Sequence, residues 1–220
     1  MDLFPLRVAA AGGSIDGIAV TKLVAAGFTL LQRSVPLVRA LAGRRSALLL
    51  PASPQLLVAL AASDGRGAVI IEPPASGAPP GEITALLERA RVGAVFTMKA
   101  YDLAQFPVRV LLDDAPVSAT VATADGARTR VDLGSHFGLD LVGDATALGR
   151  DEECVVVYAP GAERPRIITH RELLDGVSPT SAGPHAEVAA VPNPSGLIAT
   201  FLAPLLAGAN VQTRHAPSFR

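Results

Sequence analysis

A single cysteine, Cys154, stands in this sequence of 220 residues, so no internal disulfide can form. Placed beside Val155-Val156-Val157, it reads as a small buried hydrophobe rather than a nucleophile. That usage fits a reducing compartment, and the cytoplasm is the expected location. Charge is also scarce: only 18% of residues are charged and the net charge is −1, with a pI near 6.4. No basic field exists to recruit nucleic acid or an anionic membrane, so neither is an expected partner. Arg44 and Arg45 form the one adjacent basic pair, read as closing a helix, where cations suit the dipole. The four histidines, His136, His170, His185 and His215, include no pair three or four apart, so no metal site is expected. Uninterrupted apolar runs are missing too. Ser46 to Ser63 is broken by Pro51 and Pro54, and Pro192 to Thr213 by Pro194, Pro204, Gly208 and Asn210, so neither reads as a membrane span. Met1-Asp2-Leu3-Phe4-Pro5 lacks a basic segment followed by an apolar core, the pattern of a secretory signal. No serine sits in a glycine-flanked elbow of the hydrolase kind.

What is present is apolar residue in quantity, 50% of the chain, which excludes a disordered protein and points to layers buried on both faces. Val24, Phe28, Leu31, Val35, Val38 and Leu41 recur at helical spacing and predict one helix from Thr21 to Ala42, kinked near Pro36. Ala47 to Leu50 predicts a strand, Ser53-Pro54 a capped helix running to Ala62, Ala68 to Ile71 a strand, and Glu82 to Arg91 a second helix. Ala94 to Thr97 and Val108 to Leu112 are further strands. This alternation is the pattern of parallel pairing with right-handed crossovers. From 113 to 153 the patterning weakens, with Asp125-Gly126 marking a hairpin turn. Strand character resumes at Cys154 to Tyr158 and Ile167 to His170, where Thr169 and Glu172 have capping-box spacing. Glu187 to Val191 predicts a strand, Ser195 to Leu206 a helix with Ser195 as its N-cap, and Ala209 to Thr213 a last strand. Gly12-Gly13-Ser14 reads as a flexible turn rather than a phosphate loop, since no strand precedes it. The expected organisation is a first α/β subdomain over 1–112, a connector with a small β excursion over 113–153, and a second, partial α/β subdomain over 154–220.

From about Val20 to Thr213 the order of elements resembles the adenylate-forming superfamily of acyl-CoA synthetases and peptide-synthetase adenylation domains. The likeness is strongest in two stretches: Ala47-Leu48-Leu49-Leu50-Pro51 through Gly67-Ala68-Val69-Ile70-Ile71-Glu72-Pro73, and Val157-Tyr158-Ala159-Pro160-Gly161-Ala162-Glu163-Arg164-Pro165-Arg166 running on to Thr169-His170. The resemblance implies a fold of mostly parallel sheets flanked by helices, like the front half of the acyl-CoA synthetase large domain. In that family the second stretch is a hydroxyl- and glycine-rich loop ending in Pro-Lys-Gly that wraps ATP phosphates. The resemblance therefore makes Tyr158, Gly161, Arg166 and Thr169 the candidates for nucleotide phosphate contact. The chemistry inside the frame differs. Pro160 has no amide hydrogen, Ala159 and Ala162 stand where hydroxyls are wanted, and Glu163 repels a polyphosphate. Between Pro192 and Gly196 there is also no histidine, which the family uses to line its carboxylate pocket.

A typical member of the family is about twice as long, and its remainder carries the adenine site and a catalytic lysine. The expectation is a truncated relative, an ATP-dependent acid-thiol ligase by family but inactive alone, with no catalytic residue to assign. Family members use ATP, magnesium and CoA; no cofactor is expected here. Three roles follow: a binding or interaction protein, one part of a split ligase completed by a partner chain, or a small carboxylate-binding module. Strand edges around Glu187 to Val191 and Val211 to Thr213 are expected to be covered by a homodimer or another protein partner, with Phe201, Leu202 and Leu205 contributing.

Overall fold

Short runs of small and β-branched residues, each bounded by glycine or a charged residue, become the strands of a large sheet. In the computed structural model the described residues are 3–63, 67–71, 81–134, 151–158, 165–175, 185–188 and 194–213. β3 (Arg45–Leu49), β4 (Ala68–Ile71), β5 (Val92–Thr97), β6 (Val108–Leu112) and β9 (Glu153–Val157) lie in the order β9-β4-β3-β5-β6 and are all parallel. The expected parallel sheet is therefore present. Antiparallel hairpins finish both edges. β7 (Ser118–Thr123) and β8 (Arg128–Asp132) extend it beyond β6, turning at Asp125-Gly126, and β10 (Arg166–Thr169) pairs with β9. Strands drawn from all three sequence segments share this one sheet.

The helices show why the sheet faces are apolar. α4 (Pro54–Ala62) is buried at every residue, as a helix apolar around its whole circumference must be. Ser53 caps it, its hydroxyl accepting from the Leu56 amide at 3.3 Å, with Pro54 at the first helical position. Gln55 Nε2 donates to the Asp113 carbonyl at 3.0 Å and also to that of Asp114, which ties the first turn of α4 to the end of β6. Against α4 lies α2 (Val20–Arg33), and the contact is close: a Cβ on Gly27 would stand 2.4 Å from the Val58 carbonyl oxygen and 2.5 Å from Ala61 Cβ. α1 (Phe4–Ala11) joins the same core through Phe4 and Val8. α5 (Gly81–Arg89) covers the other face through Leu87.

The single helix expected over 21–42 is two. Ser34 leaves helical geometry at φ −118°, ψ 87°, and its hydroxyl caps α3 (Val35–Leu41) by accepting from the Leu37 amide at 3.3 Å. Pro36 thus sits in the first turn of α3, where proline is tolerated, rather than kinking a longer helix. The break resets the helical phase: Leu37, Ala40 and Leu41 are buried while Val35 and Val38 are exposed. Nor does Arg45 close a helix; it opens β3, and its guanidinium takes the Glu153 carboxylate in two hydrogen bonds of 2.7 and 2.8 Å. That pair crosses the start of β4, above Gly67, where a Cβ would lie 2.6 Å from Glu153 Oε2. The Arg45 bond holds the Glu153 carboxyl below its usual range, burial opposing more weakly.

A second sheet has the order β11-β12-β1-β2, from β11 (His185–Val188), β12 (Asn210–Thr213), β1 (Ser14–Ile15) and β2 (Ile18–Ala19). β1 runs parallel to β12, so Gly12-Gly13-Ser14 is ordered structure, not a flexible turn. Gly13 has φ +87°, and a Cβ there would lie 2.4 Å from the Ala209 carbonyl oxygen. Asp16, in the β1–β2 turn, accepts from the Thr213 amide at 2.7 Å and from its hydroxyl. The helix before β12 begins at Pro194, which puts Ser195 inside rather than at its cap. It runs as α7 (Pro194–Leu197), a π-helical turn over Ile198–Leu202, and α8 (Ala203–Leu206). Two features assigned to an interface lie elsewhere. Phe201, Leu202 and Leu205 are fully buried in this chain's own core, and of Val211 to Thr213, Val211 has a strand on each side while Gln212 and Thr213 pair with β11. The strand expected over Glu187 to Val191 begins earlier, at His185; residues 189–193 lie outside the described ones.

Gly27→Val is expected to lower the unfolding free energy by at least about 2 kcal/mol, because a backbone oxygen cannot yield to the new side chain; urea denaturation measures it. The Glu153 carboxylate contributes stability above its unfolded pKa, about 4.3, that is lost as pH falls through its lower folded value. Both partners are partly exposed, at 25% and 34%, so the loss amounts to no more than ~1 kcal/mol. Glu153→Gln should remove that acid-dependent component from stability curves recorded between about pH 5 and pH 3.

Candidate functional site

In open α/β sheets ligands bind beyond the carboxyl ends of parallel strands, and the β9–β10 hairpin turns at that end. Arg166 stands opposite Val157 in the hairpin register, so Tyr158 and Arg166 flank the connection between the strands. Gly161, with Ala159, Pro160, Ala162 and Glu163, falls in 159–164, outside the described residues. Tyr158 is half-buried and packs on the apolar cluster that contains Leu87, Val95 and Val156. Arg166 is exposed.

Thr169 is not brought to this turn. It lies three residues further along β10, about 10 Å away at strand rise, opposite Glu153 after a bulge. Its polar groups are already engaged. The Thr169 hydroxyl accepts from the Glu172 amide at 3.1 Å and the Glu172 carboxylate accepts from the Thr169 amide at 2.9 Å, a complete capping box on α6 (His170–Asp175). His170, the next residue, is fully buried and its Nδ1 accepts from the Phe4 amide at 3.0 Å. The Thr-His pair therefore anchors α6 and joins it to α1. On β9 itself burial pushes the Cys154 thiol far above its usual range, which leaves no thiolate for nucleophilic attack.

Of the hydroxyl and cationic candidates, only Arg166 faces solvent at the turn, and no group of three or more possible metal ligands occurs among the described residues. Two other concavities were not foreseen. An apolar cleft of about 510 Å³ lies between α2 and the ends of the β6–β8 region, with Leu23, Val117 and Leu133 on its walls and Lys22 on its rim. Another, of about 630 Å³, lies at the amino ends of the large sheet's strands and is rich in arginine. Its members, Arg44, Arg45, Arg89 and Arg91, come from two connections far apart in sequence. The Arg89-x-Arg91 spacing was visible; its convergence with Arg44 depends on the β3–β5 pairing.

Thr169→Val should cost about 1 kcal/mol of stability through loss of the cap, and Thr169→Ser should restore it. Thermal unfolding of the three proteins measures both effects.

No protein-family model and no curated protein matches the sequence. Solved structures do match in fold. Apo MatB from Rhodopseudomonas palustris is 15% identical with a TM-score of 0.62, the match covering 100% of this chain and 46% of that one. The N-terminal subdomain of Klebsiella oxytoca NpsA, solved with 3-hydroxyanthranilyl-AMSN, is 15% identical with a TM-score of 0.60, covering 99% and 55%. A fatty acyl-adenylate ligase from L. pneumophila, solved with acyl adenylate and pyrophosphate, is 14% identical with a TM-score of 0.58, covering 97% and 40%. The chain thus spans less than two thirds of each. At this identity the likeness is one of architecture. Among the described residues no helix is long and apolar enough to cross a membrane. The chain's fold is thus similar to that of part of each of these structures.

Proposed function

We propose that this chain does not adenylate a carboxylate by itself and acts instead as a binding or interaction module built on the adenylate-forming fold. The observation that carries this reading is the β9–β10 hairpin. The Thr169 hydroxyl is committed to the α6 cap, and the sequence joining the strands offers a proline, two alanines and a glutamate where phosphate oxygens would need amides and hydroxyls. Among the described residues at that turn Arg166 is the one exposed cation, which is little preorganised support for charge developing in a transition state.

A second reading is favoured by the apolar cleft beside α2. Its volume lies in the range of small-molecule sites, and Lys22 on its rim suits a ligand with an apolar body and one carboxylate. A titration with magnesium ATP and with a panel of small aromatic and aliphatic carboxylates tests both readings. Magnesium ATP is expected to give no binding tighter than about 100 μM. Low-micromolar binding that disappears in Arg166→Gln would overturn the first reading. A carboxylate whose binding weakens in Lys22→Gln would establish the second.

A further inference from the structure

The amino-terminal edge of the large sheet, opposite the hairpin turn, carries an arginine-rich cleft that neither reading uses. Its floor is the Arg45–Glu153 pair lying over Gly67. Arg45 also donates from Nη1 to the Ala90 carbonyl at 3.5 Å, which draws the α5–β5 connection toward β3. On one wall this leaves Arg44, and on the other Arg89 and Arg91. All three are exposed, and none of their guanidinium groups is held by a hydrogen bond or ion pair to another described residue. Two carboxylates share the rim, Glu152 in this cleft and Glu88 in an adjoining one of about 490 Å³ that Arg44 and Arg91 also line. With Arg45 and Glu153 paired off, three guanidinium groups face two carboxylates.

Arg91 adds a separate observation. Its φ is +56°, in the left-handed region that favours glycine or asparagine, yet the position carries a long cationic side chain. The residue ends α5 in the left-handed turn common at helix stops, and that turn carries its side chain to the cleft wall. Guanidinium forks match phosphate oxygens bidentately. Arginines on facing walls of about 630 Å³ offer several guanidinium forks at once, which suits an anion with several phosphates better than a single carboxylate.

We infer that this cleft is an anion site for an oligophosphate, bound between Arg44 on one wall and Arg89 and Arg91 on the other. Inorganic tripolyphosphate without magnesium, titrated calorimetrically into the full chain at low salt, is the probe. Wild type is expected to bind it in the submillimolar range. The double variant Arg44→Gln/Arg89→Gln should bind at least about tenfold more weakly, with circular dichroism unchanged. Arg91→Asn accepts the same backbone conformation and should weaken binding while leaving the melting temperature equal to or above that of wild type. Arg166→Gln, at the opposite end of the sheet, should bind as wild type does. The inference fails if millimolar tripolyphosphate gives no heat, if the double variant and Arg91→Asn both bind like wild type, or if Arg166→Gln is the variant that loses binding.

Discussion

Helix α4 is buried on every side, and the rest of the molecule is arranged by that constraint. A helix with no wet face must be covered all round, by the sheet on one flank and by other helices on the remainder. Gly27 is what lets α2 approach closely enough to complete the cover, with Val58, Ala61 and Ala62 beneath it. Once α2 is seated, α1 follows in the same core, and through Phe4 and His170 it reaches α6 at the far edge of the sheet. The tether from Gln55 to the carbonyls after β6 runs outward from the same helix in the other direction. Two remote regions are thus held by connections that begin at α4 or at what covers it.

The two ends of the large sheet have different character. At the carboxyl ends of the parallel strands, where the architecture conventionally accepts ligands, Tyr158 packs on an apolar cluster and Arg166 faces solvent, while the Thr169 cap lies level with the amino end of β9. At the amino ends, guanidinium groups stand exposed around a paired floor. Fold and chemistry separate readily in this way. An architecture rests on many apolar contacts that tolerate substitution, whereas a phosphate cradle rests on a few amides and hydroxyls whose loss leaves the packing undisturbed.

The sequence was most informative where a local rule coincided with burial. Ser53-Pro54, the Thr169–Glu172 box, the Asp125-Gly126 turn and the apolar runs of β3, β4 and β9 were each legible because their signals lie within a few residues. Failures came where a local pattern continued across a break. The helical spacing through Val35 and Val38 was real as spacing, but Ser34 turned the chain out of phase and exposed both residues. Arg45 resembled a helix terminus because its partner, Glu153, lies 108 positions away. Phe201, Leu202 and Leu205 were correctly read as one apolar face, but only the three-dimensional core shows that the face is already covered. At the candidate site the two flanking strands, β9 and β10, were legible, whereas the separation of Thr169 from the turn follows from strand register, which no motif encodes.

Pairing Ser14 with Asn210 joins residues 196 positions apart. β1 and β12 therefore have no partner in each other until nearly the whole described chain has left the ribosome. The large sheet, by contrast, has at its centre strands close in sequence, β3 with β4 and β5 and β5 with β6, and takes β9 from further along the chain. Closing so wide a loop in an unfolded chain is entropically unfavourable, and the closure becomes inexpensive only after α1, α2 and α4 have brought the two regions together. Loop closure of this length is expected to make the small sheet a late event in folding, a clasp fastened over a core that already exists, with the Asp16–Thr213 bonds among its last links.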